Sequence, residues 1–211
     1  MVRSQMTTLP ELIGPNASNP GEIAGYSTDA VVYSLGGNDT YGDCVFVAPC
    51  NQLDLSAFVN GAPFTIGDAE ALLFYEREAG FTKANPASDH GAIVTDMLAY
   101  WSANGWPSDP ESKPVGWCAI EVDQIHQAIH SLGAVVVWAL LPRIDDDWDF
   151  SDLSITRGVD GTGGHCMLMV RSGPDGYQVI TWAERRTVTH AWWAKYGKGQ
   201  IAVLVPGWKV R

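Results

Sequence analysis

Residues 44–60, CVFVAPCNQLDLSAFVN, carry one charged side chain, Asp54, in seventeen positions. A run that apolar and that long is predicted as a helix buried on most sides. Such a helix has no face to give to water, so the rest of the chain has to cover it. Pro49 lies near its start. Proline removes one ladder bond and clashes with the carbonyl four residues back, so the first turn is expected to kink there or to begin after Cys44.

The cover is legible as helices first and strands last. DAVVYSLGG at 29–37 reads as a short strand running into a Gly-Gly turn. TIGDAEALLFYEREAGF is an amphipathic helix with Asp68 as its N-cap, Ala71, Leu72, Tyr75 and Ala79 on one face, and Gly80 as its stop. SDHGAIVTDMLAYWSANGW repeats the plan with Ile93, Met97, Leu98 and Trp101, ending at Gly105. EVDQIHQAIHSLG is a third helix, capped by Asp123 and closed by Gly133, and the β-branched run AVVVWALL follows as a central strand. Residues 143–164 are acidic, Gly-rich and aperiodic, a surface loop. HCMLMVRS, a Gly-Pro-Asp-Gly turn, YQVITWA, a short helix in VTHAWWAKY, and GQIAVLVPGW complete the chain. The order predicts an α+β protein: a helical part, about 44–132, packed on a C-terminal antiparallel β part, about 134–211. Residues 1–30, broken by Pro, Gly, Asn and Ser, are expected to be an extended arm, with 31–211 as one domain.

Charge narrows the partners. A formal net charge of −11 repels phosphate backbones and anionic lipid head groups, which excludes nucleic acid and membrane surfaces. The N-terminal MVRSQMTTLPELIGPNASNPGE has no apolar core of a signal peptide, and GAVVVWALLP at 133–142 is too short to span a bilayer. A soluble protein of the cytoplasm, or of a virus particle, is expected. Cysteines at 44, 50, 118 and 166 form no CxxC pair and are read as free thiols; Cys44 and Cys50, six apart on one helix, point different ways. His126 and His130 have ligand spacing but no acidic partner between them, so they read as a polar helix face. DDDWD at 145–149 lacks the glycine and terminal glutamate of a calcium loop. No metal and no cofactor is expected.

One pair of residues carries chemistry. Cys44 closes GGNDTYGDC and opens the apolar helix, where unpaired backbone N–H groups stabilise a thiolate. A thiol nucleophile needs a base, and His165, after Gly163-Gly164 at the start of a strand, is the candidate. YGDCVFVA, then helices, then an apolar strand, then GTGGHCMLMV and YQVITWAE resemble the papain-like cysteine peptidase fold from about residue 30 onward. LGND before YGDC and TWAE before an aromatic segment also resemble uncharacterised proteins of actinobacteria and their phages. The resemblance implies Cys44 as nucleophile and His165 as general base and acid. It also implies that Asn38, six residues before the cysteine where the family has glutamine, helps to bind the oxyanion with an amide one methylene shorter.

The third member of the pattern departs from the family. Where an asparagine would orient the histidine, counting back from Trp182 gives Ile180, which cannot hydrogen-bond; a one-residue slip gives Thr181, which can. Gln178 and Glu184 are the other polar candidates. Asp43, beside Cys44, favours a helix N-terminus as a cap but disfavours a thiolate. Two readings stay open: a cysteine hydrolase acting on a peptide or protein, or a papain-like module of weak or no activity in a structural or binding role, such as a phage virion component.

Overall fold

The computed structural model describes residues 8–15, 17–26, 30–62, 66–141, 150–151 and 163–211; most of the acidic 143–164 stretch, with DDDWD, lies outside the described residues. A one-turn helix α1 (Leu9–Ile13) and a two-residue strand β1 (Ala24–Gly25) precede the apolar helix α2 (Cys44–Val59). α2 is buried from Cys44 through Ala57. It starts at Cys44 with Pro49 in its second turn, so the later start allowed by the sequence does not occur. One missing ladder bond costs about 1 kcal/mol, while each apolar side chain buried on α2 returns roughly 1.5–3 kcal/mol.

Three polar residues of α2 bond the surrounding backbone, although Gln52 Oε1 and Asp54 Oδ2 stay buried without a partner. Asn51 Oδ1 accepts from the Ser34 N–H at 2.7 Å, Gln52 Nε2 donates to the Val203 carbonyl at 2.8 Å, and Asp54 Oδ1 accepts from the Ile66 N–H at 2.6 Å. These bonds explain why residues 31–35 are not the strand predicted. The Ser34 N–H goes to Asn51 and the Leu35 N–H to Asp68 Oδ1 (2.8 Å), so neither is left for a ladder. Asp68 is consequently not the N-cap of α3 (Asp68–Ala79). Gly67 holds that position, and the Asp68 carboxylate reaches back to the Gly36 N–H as well (3.0 Å).

α4 (Val94–Asn104) buries Met97, Leu98 and Trp101, while Ile93 falls outside the helix and is exposed. A strand the sequence hides, β2 (Gly116–Ala119), follows. The next helix, α5 (Ile125–Leu132), is led by a 3₁₀ turn whose capping box is Glu121 with Gln124 rather than Asp123. Then come β3 (Val135–Leu141), β4 (Gly163–Gly173), β5 (Gly176–Thr181), β6 (Glu184–Val188), α6 (His190–Tyr196) and β7 (Gly197–Leu204).

Among the described residues all seven strands join one antiparallel sheet, ordered β2-β7-β3-β4-β5-β6 with β1 added to β4. α2 packs on β4, and the register aligns Ala139 with His165 and Trp138 with Cys166. The structure is therefore α+β, a helical lobe on an antiparallel sheet lobe. The early segment is tied down in part by α5: His126 Nε2 bonds the Gly21 carbonyl (2.8 Å) and His130 Nε2 the Ser18 hydroxyl (2.8 Å). Among the described residues no helix is long and apolar enough to cross a membrane.

Candidate active site

Cys44 is the first residue of α2, and its sulfur accepts a hydrogen bond from the Cys166 N–H at 3.4 Å. Burial pushes the Cys44 thiol up to about 11, and the neighbouring Asp43 carboxylate adds to that; the Cys166, Val45 and Cys44 N–H groups act against it. Asp43 holds the N-cap position of α2, but its side chain makes no capping bond. Its Oδ2 instead accepts from the Gly37 N–H at 2.7 Å, its Oδ1 has no partner, and the residue is wholly buried. Burial lifts its carboxyl to about 6, helped by Asp89 and Asp39 and opposed by the Gly37 bond.

His165 is buried near the start of β4, and burial pulls its imidazole down to about 4. Its Nε2 lies 2.6 Å from the Thr181 hydroxyl at the end of β5. The ring stacks on Trp182, with centroids 4.5 Å apart and planes 10° from parallel. Of the polar residues considered beside this strand, Gln178 sits opposite Arg171 and Thr187 in the sheet, and Glu184 pairs with Arg186 at 2.5 Å on the surface. Ile180 is in the core.

The Thr181 position follows from a turn the sequence does not announce. β5 and β6 are joined by Trp182 and Ala183, both at positive φ (49° and 58°), a two-residue hairpin without the usual Gly, Asn or Asp. The turn sets Trp182 under the imidazole, and its Nε1 donates to the Asn38 carbonyl at 3.1 Å. Asn38 thus sits on the turn that touches the histidine's support, half-buried, and outside the lining of the cavity described next.

That cavity, about 440 Å³, is lined by Cys44, Val45, Trp138, His165, Cys166 and residues 90–95, among others. Cys44 and His165, 121 positions apart in sequence, therefore face one space. Cys50, Cys118 and Cys166 are buried free thiols like Cys44. Among the described residues no cluster of three or more His, Cys, Asp or Glu side chains is placed to hold a metal.

No protein-family model matches the sequence, and no curated protein matches it either. Solved structures do. Xylellain, a cysteine protease from Xylella fastidiosa, superposes with a TM-score of 0.62 over 96% of this chain and 95% of its own, at 11% identity. The Carica candamarcensis cysteine protease CMS1MS2, solved in complex with E-64, gives 0.55 over 87% and 98% at 13% identity. The proform of Amb a 11, a ragweed pollen cysteine protease, gives 0.56 over 96% and 74% at 11% identity.

The fold is papain-like. At these identities the likeness carries the fold and nothing further. Within the papain-like frame, sequence reading missed three contributors. Trp182 served only as a counting mark, though an aromatic beside the last polar residue of a strand is placed to stack on a facing ring. Asp89 and Tyr75 were unremarkable, yet Asp89 Oδ1 accepts from the Gly42 N–H, two residues before Cys44 (2.9 Å).

Proposed function

We propose that the chain is a papain-like cysteine hydrolase, a peptidase or amidase acting on a peptide or protein, with Cys44 as nucleophile and His165 as proton shuttle. The observation that carries this reading is the shared cavity: a thiol at the N-terminus of a buried helix and an imidazole held by Thr181 and Trp182 line the same space. Near pH 7 both groups are neutral, since burial raises the thiol to about 11 and lowers the imidazole to about 4. Attack is therefore base-assisted. Nε2 carries the ring proton toward Thr181, Nδ1 takes the thiol proton as Sγ bonds the scissile carbonyl carbon, and the same nitrogen returns it to the departing amine. Water then hydrolyses the thioester along the reverse proton path. The Cys44 N–H at the helix start is the donor for the oxyanion; Asn38, the second donor that the resemblance implies, lies outside the lining of the cavity.

Selective alkylation tests it. Iodoacetamide at pH 6–7 is expected to label Cys44 far faster than Cys50, Cys118 or Cys166. Cys44 is also the most exposed of the four, at 9%. For that reason the deciding comparison is His165→Ala, which should slow Cys44 labelling by on the order of a hundredfold. Labelling of Cys44 that is indifferent to His165 sinks the hydrolase reading.

A second reading has its own observation. The wholly buried Asp43 carboxylate beside Cys44 works against a thiolate, as suits a cleft that binds a peptide without cleaving it, in a structural or assembly role. Peptide binding with no acyl-enzyme and no His165 dependence of labelling is the outcome it requires.

A further inference from the structure

Two loops meet beside the cavity, and a small polar clamp holds them. One is the loop that ends in Gly42-Asp43-Cys44; the other, residues 89–95, supplies a wall of the cavity. Asp89 Oδ1 accepts from the Gly42 N–H at 2.9 Å and from the Tyr75 hydroxyl at 2.9 Å. The same hydroxyl oxygen accepts from the Gly91 N–H at 2.9 Å. One tyrosine oxygen thus bridges the wall to the carboxylate that grips the nucleophile loop. The loops touch backbone to backbone: a Cβ on Gly42 would come within 3.0 Å of Asp89 Oδ1 and 3.2 Å of Gly91 Cα.

The bridging oxygen is itself fixed by the core. The Tyr75 ring is wholly buried on α3, stacked on Phe81 (4.7 Å, 9°) and packed against Phe46 of α2 (5.3 Å). The hydroxyl therefore cannot drift with the surface loop. Burial and the Asp89 carboxylate raise the Tyr75 phenol to about 12, so it keeps the proton it donates.

We propose that Asp89 and Tyr75 are positioning residues that set the distance between the cavity wall at 90–95 and Cys44, and so tune reaction with ligands long enough to touch both. The proposal rests on the hydrolase reading above. A ligand's remote contacts accelerate reaction only if the surface they meet stands at a fixed place relative to the reacting sulfur. A small reagent that meets only Cys44 and His165 does not sense the wall.

The full-length chain is treated with two probes, iodoacetamide and a dipeptidyl epoxide, and second-order inactivation rates are compared. Tyr75→Phe, which removes the bridge and keeps the buried ring, is expected to slow the epoxide on the order of tenfold or more. Its iodoacetamide rate should stay within about twofold of wild type, which also reports an intact fold. Asp89→Ala should behave the same way, and Asp89→Asn, which keeps an acceptor oxygen, should recover most of the epoxide rate. Wild-type epoxide rates in both Tyr75→Phe and Asp89→Ala overturn the clamp, and so does equal slowing of both probes. Failure of the hydrolase reading looks different: wild-type Cys44 then reacts with iodoacetamide no faster than in His165→Ala, and the positioning role falls with it.

Discussion

Asp43 and Thr181 stand on either side of the Cys44–His165 pair, one beside the thiol and one on the imidazole, and each makes a separate demand. The Asp43 carboxyl titrates near 6, so above that pH it is a buried anion next to Cys44 and raises the thiol. Asp43→Asn keeps an acceptor for the Gly37 N–H and removes the charge. Cys44 alkylation should then speed up several-fold at pH 8, and the difference from wild type should vanish below pH 6, where Asp43 is protonated in any case. Parallel pH profiles with a constant offset would rule out the charge as the cause. Thr181 bonds the imidazole through a hydroxyl, which both donates and accepts, so it holds the ring's direction without choosing its tautomer as a carbonyl would. Thr181→Val should cut Cys44 alkylation about tenfold with Thr181→Ser restoring it; retention of the full rate in the valine variant would deny Thr181 a positioning role. At this scale Cys44 and His165 were legible as candidates because glycines precede both, Gly42 before the thiol and Gly163-Gly164 before the imidazole. The choice of Thr181 over Gln178 and Glu184 was not, because it depends on where β5 stops.

What stops β5 is a strained turn, and the elements show where sequence patterns fail. Trp182 and Ala183 adopt positive φ without glycine, at roughly 1–2 kcal/mol each, and the Trp182 contacts with His165 and Asn38 hold the first of them in place. Ala183, with only a methyl group, offers no such anchor. Ala183→Gly is therefore expected to stabilise the chain by about 1 kcal/mol in urea unfolding, with Cys44 reactivity unchanged; destabilisation would show the hairpin to be unstrained. Lacking Asn-Gly or Asp-Gly, this turn and β6 could not be read in advance. β2 stayed hidden for another reason: its four residues pair with β7 near the far end of the chain, and no local pattern reports such a partner. Residues 31–35 failed in the opposite sense, reading as a strand by composition while the Ser34 and Leu35 N–H groups went to Asn51 and Asp68. The long periodic helices and the apolar strands β3, β4, β5 and β7 were legible, since burial on a repeating face is what a sequence pattern records.

For the whole molecule, helices first and sheet last was enough to foresee the lobes, but the price of burying carboxylates inside them appears only in three dimensions. Asp54 on α2 is buried, and its carboxyl is raised to about 7; Asp43 is raised to about 6. Both start from 3.8, so the folded state holds these protons more tightly than the unfolded chain. The stability they allow is complete below about pH 4 and is lost as pH rises toward 6 and 7. His165 works the other way: lowered to about 4 from 6.5, it favours the fold above 6.5 and withdraws that favour as pH falls to 4. Two carboxyls oppose one imidazole, and a net charge of −11 adds self-repulsion on the alkaline side. The melting temperature is therefore expected to be higher at pH 5.5 than at pH 7.5, by several degrees. Asp54→Asn, which keeps an acceptor for the Ile66 N–H, should raise Tm at pH 7.5 by a few degrees, roughly 1–2 kcal/mol, and flatten the slope between the two pH values. A chain that melts lower at pH 5.5, or a variant that shifts both pH values equally, would mean that Asp54 is ionised in the fold and that its raised carboxyl does not govern the profile.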